Sequence, residues 1–356
     1  MYKSRITLNE ELWRSEIMSE ENMCRPTKPI LFIVIPCYNE EQVLPITAPM
    51  FKAKLDQLSF AGLVDEKSKI LFVNDGSKDR TWEVLGDLCN SDSMFTAMKL
   101  SRNRGHQNAL LAGLMEAKDL ADITISIDCD GQDDINAMDE MVRQYHDGCE
   151  IVYGVRNDRT SDTFFKRATA QGYYKILNAL GGEVIYNHAD YRLVSSRVLN
   201  ELANYKEVNL FLRGMFPMIG FKSTCVEYSR HERLAGSSKY PLSKMLTLAF
   251  DGITSFSVKP IRIITAIGGI TVLLSLVLII YALISWVTGH VVAGWSSSFI
   301  GTTLIGGIQL ISLGVIGEYV GKIYMETKAR PRYIVEERIR QAEAQNGTEQ
   351  KDGHED

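Results

Sequence analysis

Two carboxylates stand one residue apart in the stretch DCDGQDD: Asp128 and Asp130, directly after the apolar run Ile123–Ile127. Acids at this spacing can direct oxygens at one hard cation. Mg2+ or Mn2+ is commonly held by one or two carboxylates, with substrate phosphates and water completing its shell. A cation so placed can offset the charge that builds on a leaving diphosphate. A bare Asp-x-Asp says little by itself, since acids are common on surfaces. At the exit of an apolar run it says more.

Such a pair needs a frame to position it. From residue 30 to about 155, apolar runs at 30–35, 69–73, 95–100, 123–127 and 150–154 alternate with helical stretches. That is the pattern of a parallel sheet with crossover helices, an α/β fold. Strands buried on both faces read as continuous apolar runs. Ligands of open α/β sheets bind beyond the carboxyl ends of the strands. PCYNEE (Pro36–Glu41) follows the first run, NDGSKD (Asn74–Asp79) the second and DCDGQDD the fourth, while Gly154 and Arg156 close the fifth. Asp-Gly-Ser is a common turn and Asn-Glu-Glu a plausible helix start. Three acidic exits on one edge exceed what turns alone require. GxGxxG after the first strand and GxxxxGK[ST] are both missing, so neither a dinucleotide fingerprint nor a P-loop is supported. Basic residues follow downstream: Arg156, Lys166, Arg167, Arg192, Arg213, Arg230, Arg233 and Lys239. In RHERLAGSSKY (230–240) Arg230, Arg233, Lys239 and a His surround a small Gly-Ser centre that could close over phosphates. A solvated basic loop is the plainer alternative.

The 356 residues carry a net charge of −5, which gives no global reason to expect nucleic acid. Six cysteines form no CxxC pair and no zinc-spaced cluster, which points to free thiols in a reducing compartment. The first 30 residues are polar and acidic, unlike a signal peptide. Thr7 and Glu10 fit a capping box for a short surface helix. Apolar residues concentrate after 260. Residues 263–287 and 291–317 are uncharged, and each exceeds the roughly 20 residues that span a bilayer. The loop between them has no Lys or Arg, whereas Lys259 and Arg262 precede the pair and Lys322, Lys328, Arg330 and Arg332 follow it. The positive-inside rule predicts two transmembrane helices with both flanks cytoplasmic. Trp286 and Trp295 suit the outer interface. Residues 240–260 mix Leu242, Leu246 and Phe250 with Lys244 and Asp251, as an amphipathic interfacial helix does. Gly307, Gly314 and Gly321 fall seven apart, a stripe suited to helix contacts between protomers. The expected organisation is a polar segment over 1–28, an α/β domain over 29–239, the interfacial helix over 240–260, the membrane pair over 261–325 and a charged tail over 326–356. That tail is expected to fray from about 335.

VIPCYNEE, VNDGSKDRT, SRNRGHQNALLAG, DCDGQ, VYGVRNDR, ADYRLVSSRV, NLFLRGMFPMIGF and RLAGSSKYPLSKML, in this order, resemble family 2 (GT-A) glycosyltransferases. Within them the chain is similar to polyprenyl-phosphate glycosyltransferases of the dolichol-phosphate-mannose synthase type, bacterial bactoprenol glucosyltransferases above all. The likeness runs from about 30 to 330. In one departure, DGQDDINAM lacks prolines where the family often reads Asp-Pro-Pro, a change in a turn and not in the metal site. The resemblance implies a GT-A Rossmann-like, mostly parallel sheet with flanking helices. It implies a multi-pass protein of the inner (cytoplasmic) membrane with its catalytic domain in the cytoplasm. Asp128, Asp130 and Arg156 would be catalytic. Pro36, Tyr38, Glu40 and Asp75 would line the uracil and ribose pocket, with Asp128 near ribose and sugar. Asp130 would bind Mg2+ or Mn2+, and Gln132 would help hold the metal or the donor phosphates. Arg156 and Arg167 would face the acceptor phosphate. Arg230, Arg233 and Lys239 would lie over the diphosphate. The implied activity is inverting transfer of a hexose from a nucleotide sugar, UDP-glucose first, to polyprenyl (undecaprenyl) phosphate. Two alternatives stay open: a saccharide acceptor with Asp133 or Asp134 as base, and a non-catalytic scaffold that binds nucleotide sugar.

Overall fold

The computed structural model describes residues 25–157, 188–208, 210–230, 259–288 and 294–340. Strand β1 (Leu31–Cys37) is buried at every residue. Leu31, Ile33 and Ile35 enter one core while Phe32 and Val34 enter the other, because successive side chains of a strand point to opposite faces. Burial on both sides is why the run is apolar without interruption. Each such Leu or Ile contributes about 1.5–3 kcal/mol. β2 (Lys69–Asn74) and β4 (Ile123–Ser126) flank β1 in parallel, and β3 (Phe95–Leu100) extends the parallel set beyond β2.

Helices α1 (Leu44–Phe60), α2 (Thr81–Ser91) and α4 (Ala137–His146) supply the first core, through residues such as Phe51, Leu85 and Met138. α3 (His106–Ala117) supplies the second through Leu110 and Leu114. It lies so close to the sheet that a Cβ on Gly113 would stand 2.4 Å from Val34 Cγ1 and 2.7 Å from Val73 Cγ2. Ala at this position would push α3 off the strands.

The fifth apolar run keeps the expected direction, parallel to β4, but does not pair with it. β6 (His188–Ser195) lies antiparallel between β4 and β5 (Ile151–Arg156). β7 (Ser223–Tyr228) runs parallel to β5 on its far side. The sheet order is β7-β5-β6-β4-β1-β2-β3-β8. α5 (Ser196–Leu202) is capped by Ser195, whose Oγ accepts Val198 N–H at 3.3 Å. It shares the second core with α6 (Leu212–Ile219).

Two long helices follow, α7 (Lys259–Val287, 29 residues) and α8 (Trp295–Lys328, 34 residues). Leu273, Val277, Leu310, Ile311 and Leu313 on them are largely exposed. An exposed apolar surface on this scale marks a non-aqueous neighbour. Among the described residues one stretch, Leu304–Lys328, is long and apolar enough to cross a membrane, by length and composition. α8 runs past the uncharged stretch 291–317 to Lys328, against an expected end of the membrane pair at 325. The expected capping box at Thr7 and Glu10, and nearly all of the expected interfacial helix, lie outside the described residues.

The expectation of a tail fraying from about 335 is corrected for Val335–Ile339. This stretch is β8, antiparallel to β3 at the lateral edge of the sheet. Its three central charges are exposed while Val335 and Ile339 are half-buried, a composition that edge strands use against further pairing.

Candidate active site

The parallel strands β1, β2 and β4 end on one edge, and the polar residues that follow them meet there. Pro36 lies within β1 opposite Val73. Tyr38 is half-buried. The chain turns at Asn39 (φ 55°), a left-handed conformation that Asn tolerates. Glu40 N–H donates to Thr81 Oγ1 at 2.9 Å, and Glu40 O accepts the amides of Val43 and Leu44 at 3.1 and 3.0 Å, opening α1. Beyond β2, Asp75 is buried. Its two oxygens accept the backbone N–H groups of Arg104 (2.7 Å) and Gly105 (2.9 Å). Burial raises the Asp75 pKa, against the lowering by these two bonds.

Beyond β4, Asp128 is half-buried and Asp130 buried. Asp130 Oδ1 accepts Gln132 N–H at 3.1 Å, which folds the Asp-Gly-Gln turn back on its carboxylate. Gln132 Oε1 accepts from Arg230. Asp128 Oδ1 lies 3.6 Å from His106 Nε2, and the same nitrogen lies 3.5 Å from Asp190 Oδ2. Asp190 stands on β6, which the antiparallel pairing with β4 brings beside the acidic exit. Arg213 grips it with Nε at 3.1 Å and Nη2 at 2.9 Å, and Arg192 Nη2 adds a contact at 2.5 Å. Two-pronged guanidinium contacts of this kind fix geometry as well as charge. Arg192 is fully buried and lies 4.7 Å over the Phe216 ring.

The charges follow from this arrangement. Burial alone would raise Asp190, but Arg213, His106 and Arg192 hold it well below the usual carboxylate range. Burial alone would lower His106, but its bond to Asp190 and the charges of Asp128 and Asp190 raise it to about 9. Asp128 is raised, first by burial and further by its acidic neighbours Asp133, Asp190 and Asp130, with His106 opposing.

Arg156, at the end of β5, donates through Nε to Tyr228 Oη at 3.1 Å and through Nη2 to Asp133 Oδ1 at 3.4 Å. Tyr228 Oη in turn donates to Asp133 at 2.7 Å. Asp134 takes another part: its Oδ1 accepts Asn136 N–H at 2.9 Å and Asn136 Nδ2 at 3.0 Å, at the start of α4.

Asp75, Asp128 and Asp130 thus share one edge with Pro36, Tyr38 and Glu40. Arg156 is joined to Asp133, and Arg230 to Gln132. Arg167, Arg233 and Lys239 lie outside the described residues. His106, Asp190, Arg213 and Tyr228 were not singled out as site residues by the sequence. The one trace of Asp190 is the ADYRL stretch, which carries no spacing that marks a site. Among the described residues no group of three or more His, Cys, Asp or Glu could hold a metal unaided. The buried Asp130 beside Asp128 fits a cation that draws most of its shell from a diphosphate and water.

Residues 32–203 match glycosyl transferase family 2. The chain is 52% identical over 312 residues to YkoT, an uncharacterized glycosyltransferase of Bacillus subtilis (strain 168), covering 88% of this chain and 93% of that one. It is 37% identical over 308 residues to the bactoprenol glucosyl transferase of Shigella phage SfX, covering 86% and 98%. Among solved structures it is similar to glucosyl-3-phosphoglycerate synthase from Mycobacterium tuberculosis, at 17% identity and a TM-score of 0.40, covering 64% of this chain and 78% of that one. That likeness is too loose to bear on function.

Proposed function

The chain belongs to glycosyl transferase family 2 and is a glycosyltransferase, and on that premise we propose that it moves glucose from UDP-glucose to a polyprenyl phosphate at the cytoplasmic face of a membrane. One observation carries the lipid acceptor. Glu326, two residues before the end of α8, accepts Val208 N–H with both carboxylate oxygens, at 2.9 and 2.8 Å. A helix fit to cross a bilayer therefore ends against the transferase domain itself. The acidic site would be held near a membrane surface, where the phosphate of such a lipid lies. The similarity to a protein named bactoprenol glucosyl transferase supports the same acceptor and the same sugar.

Two spans are supported by the sheet. β7 precedes α7 and β8 follows α8, yet both are strands of one sheet. A chain that leaves a sheet and rejoins it crosses a bilayer an even number of times. With α8 as one crossing, α7 supplies the other. The uncharged loop then faces out and the basic flanks stay in the cytoplasm. Contacts between copies through the Gly307, Gly314 and Gly321 stripe belong to the same reading.

The acceptor phosphate oxygen would attack the anomeric carbon as the bond to UDP breaks and its electron pair leaves with the diphosphate, so the configuration inverts. A phosphate monoester is already anionic near pH 7, so no strong base is required. Positioning and charge stabilisation carry the rate. Pro36, Tyr38, Glu40 and Asp75 would hold the nucleoside, with Asp128 near ribose and sugar. Asp130, helped by Gln132, would hold Mg2+ or Mn2+, which when bound offsets charge on the leaving diphosphate. Arg230, Arg233 and Lys239 would lie over that diphosphate, and Arg156 with Arg167 would receive the acceptor phosphate.

A saccharide acceptor would need a carboxylate base. Asp134 is engaged at the start of α4, Asp133 is held by Tyr228 and Arg156, and Asp190 is gripped by two arginines. These engagements favour the phosphate. The test is a radiolabel transfer assay on purified protein with a panel of UDP-sugars and undecaprenyl phosphate. Transfer to a soluble saccharide without lipid phosphate would refute the acceptor class, and no turnover of any nucleotide sugar would refute the donor class.

A further inference from the structure

We propose that the segment after the last long helix, Ala329–Ile339, is a working part of the donor site, because it holds the loop that positions Asp75. This rests on the reading that the donor nucleoside binds at the β2 exit.

Asp75 takes its place from the Ser101–Gly105 loop, since both its oxygens accept N–H groups of Arg104 and Gly105. The loop also presses on the residue after Asp75. A Cβ on Gly76 would stand 2.5 Å from Arg102 C and from Asn103 N. The two loops are in direct backbone contact, so a displacement of one is felt by the other.

The Ser101–Gly105 loop leans on the returning segment. Ser101 N–H donates to Ile334 O at 3.0 Å, next to the Leu100–Val335 pair where β8 meets β3. Arg104 Nη2 reaches Pro331 O at 3.4 Å. The far end of the segment is clamped by Glu116 near the end of α3. Arg338 meets its carboxylate at 2.7 and 3.1 Å, and Arg340 joins them. Burial alone would raise the Glu116 pKa, but Arg338 and Arg340 bring it below the ordinary value. α3 has 12 residues, about 18 Å of helix. It begins at His106, which faces Asp128 and Asp190. The returning segment, the loop and α3 therefore form one closed bracket around the nucleoside side of the site. The membrane helix enters that bracket directly, since α8 ends at Lys328 and Pro331 is already in contact.

The experiment uses the full chain in detergent, with UDP as the probe. Glu116→Arg sets a third cation against Arg338 and Arg340, about 15 Å of helix away from the acidic cluster. We expect UDP affinity to fall about tenfold, the scale of a lost charged hydrogen bond. We also expect faster hydrogen exchange at the amides of Arg104 and Gly105. Restoring the pairing with Glu116→Arg, Arg338→Glu and Arg340→Glu together should bring both readouts back to within about twofold. If Glu116→Arg does not fold, Glu116→Gln replaces it, with an expected loss of about threefold or more. A folded variant that binds UDP as well as wild type, or a triple variant that restores neither readout, overturns the proposal. Wild type that binds no UDP sinks the donor-site reading itself, and this inference with it.

Discussion

His106 Nε2 stands 3.5 Å from Asp190 Oδ2, and this contact sets the sign of a pH dependence. Burial works against the proton on His106, but the bond to Asp190 and the charges of Asp128 and Asp190 outweigh it. The folded pKa is about 9 against 6.5 for a free imidazole. A raised pKa means that the folded chain binds the proton more tightly than the unfolded one. The resulting stability is fully present below about pH 6.5 and is lost as pH rises through about 9. The side chain is 34% exposed, so solvent screening reduces the contribution to about 1–2 kcal/mol. Thermal melts in EDTA between about pH 6 and 9.5 should show wild type losing a few degrees that His106→Gln does not lose. Parallel curves for the two proteins would count against it.

Asp130→Asn should remove most of the transferase activity and leave the fold intact. The carboxylate is buried, and Gln132 N–H stays able to donate to an amide oxygen in its place. A loss of ~10²-fold or more matches removal of a key charge-stabilising group. Circular dichroism and melting temperature should stay near wild type. Near-normal turnover of the variant, or full activity of wild type in EDTA, would exclude the metal assignment.

The parts of the site differ in how far the sequence reveals them. β1 to β4 are legible because a strand buried on both faces must be apolar throughout, and the acids that end such runs stand out. Asp128 and Asp130 are found this way. His106 and Asp190 are not: both lie in stretches that carry the family resemblance, but no residue type or spacing there marks a site. Asp190 reaches the site only through the pairing of β6 between β4 and β5, and runs of apolar residues carry no information about which strand lies beside which. β8 is hidden for the opposite reason. An edge strand with Glu336, Glu337 and Arg338 in its middle reads as a charged tail until the partner strand is seen.

Arg156→Ala tests the acceptor site. Asp133 and Tyr228 hold this guanidinium at the end of β5, with one face of the fork taken by the pair. The variant should raise KM for polyprenyl phosphate or lower kcat, with much less effect on UDP-sugar binding measured directly. Losing a charge-assisted contact to phosphate costs about 1.5–3 kcal/mol, roughly 10- to 150-fold in kcat/KM. Arg156→Lys should rescue only in part, because an ammonium cannot reproduce the planar fork. Donor and acceptor titrations on the same variants decide the matter. If only donor binding weakens, Arg156 belongs to the diphosphate site instead.

The sheet constrains the membrane topology more tightly than charge counting does. The strands before α7 and after α8 share one sheet, so both ends of the helix pair must lie on one side of any membrane it crosses. That side must be the cytoplasm if the donor is a cytosolic nucleotide sugar. The lack of Lys and Arg between the helices and their clustering at Lys322, Lys328, Arg330 and Arg332 agree in sign. A single cysteine placed at Ser296, in a background whose native cysteines are replaced, should react with an impermeant maleimide added to intact cells. A cysteine placed at Glu336, on the exposed face of β8, should react only after permeabilisation. Labelling of both from outside would mean that no crossing separates the two positions, and α8 would then not span the membrane. Labelling of Glu336 alone from outside would invert the orientation and put a cytosolic donor out of reach.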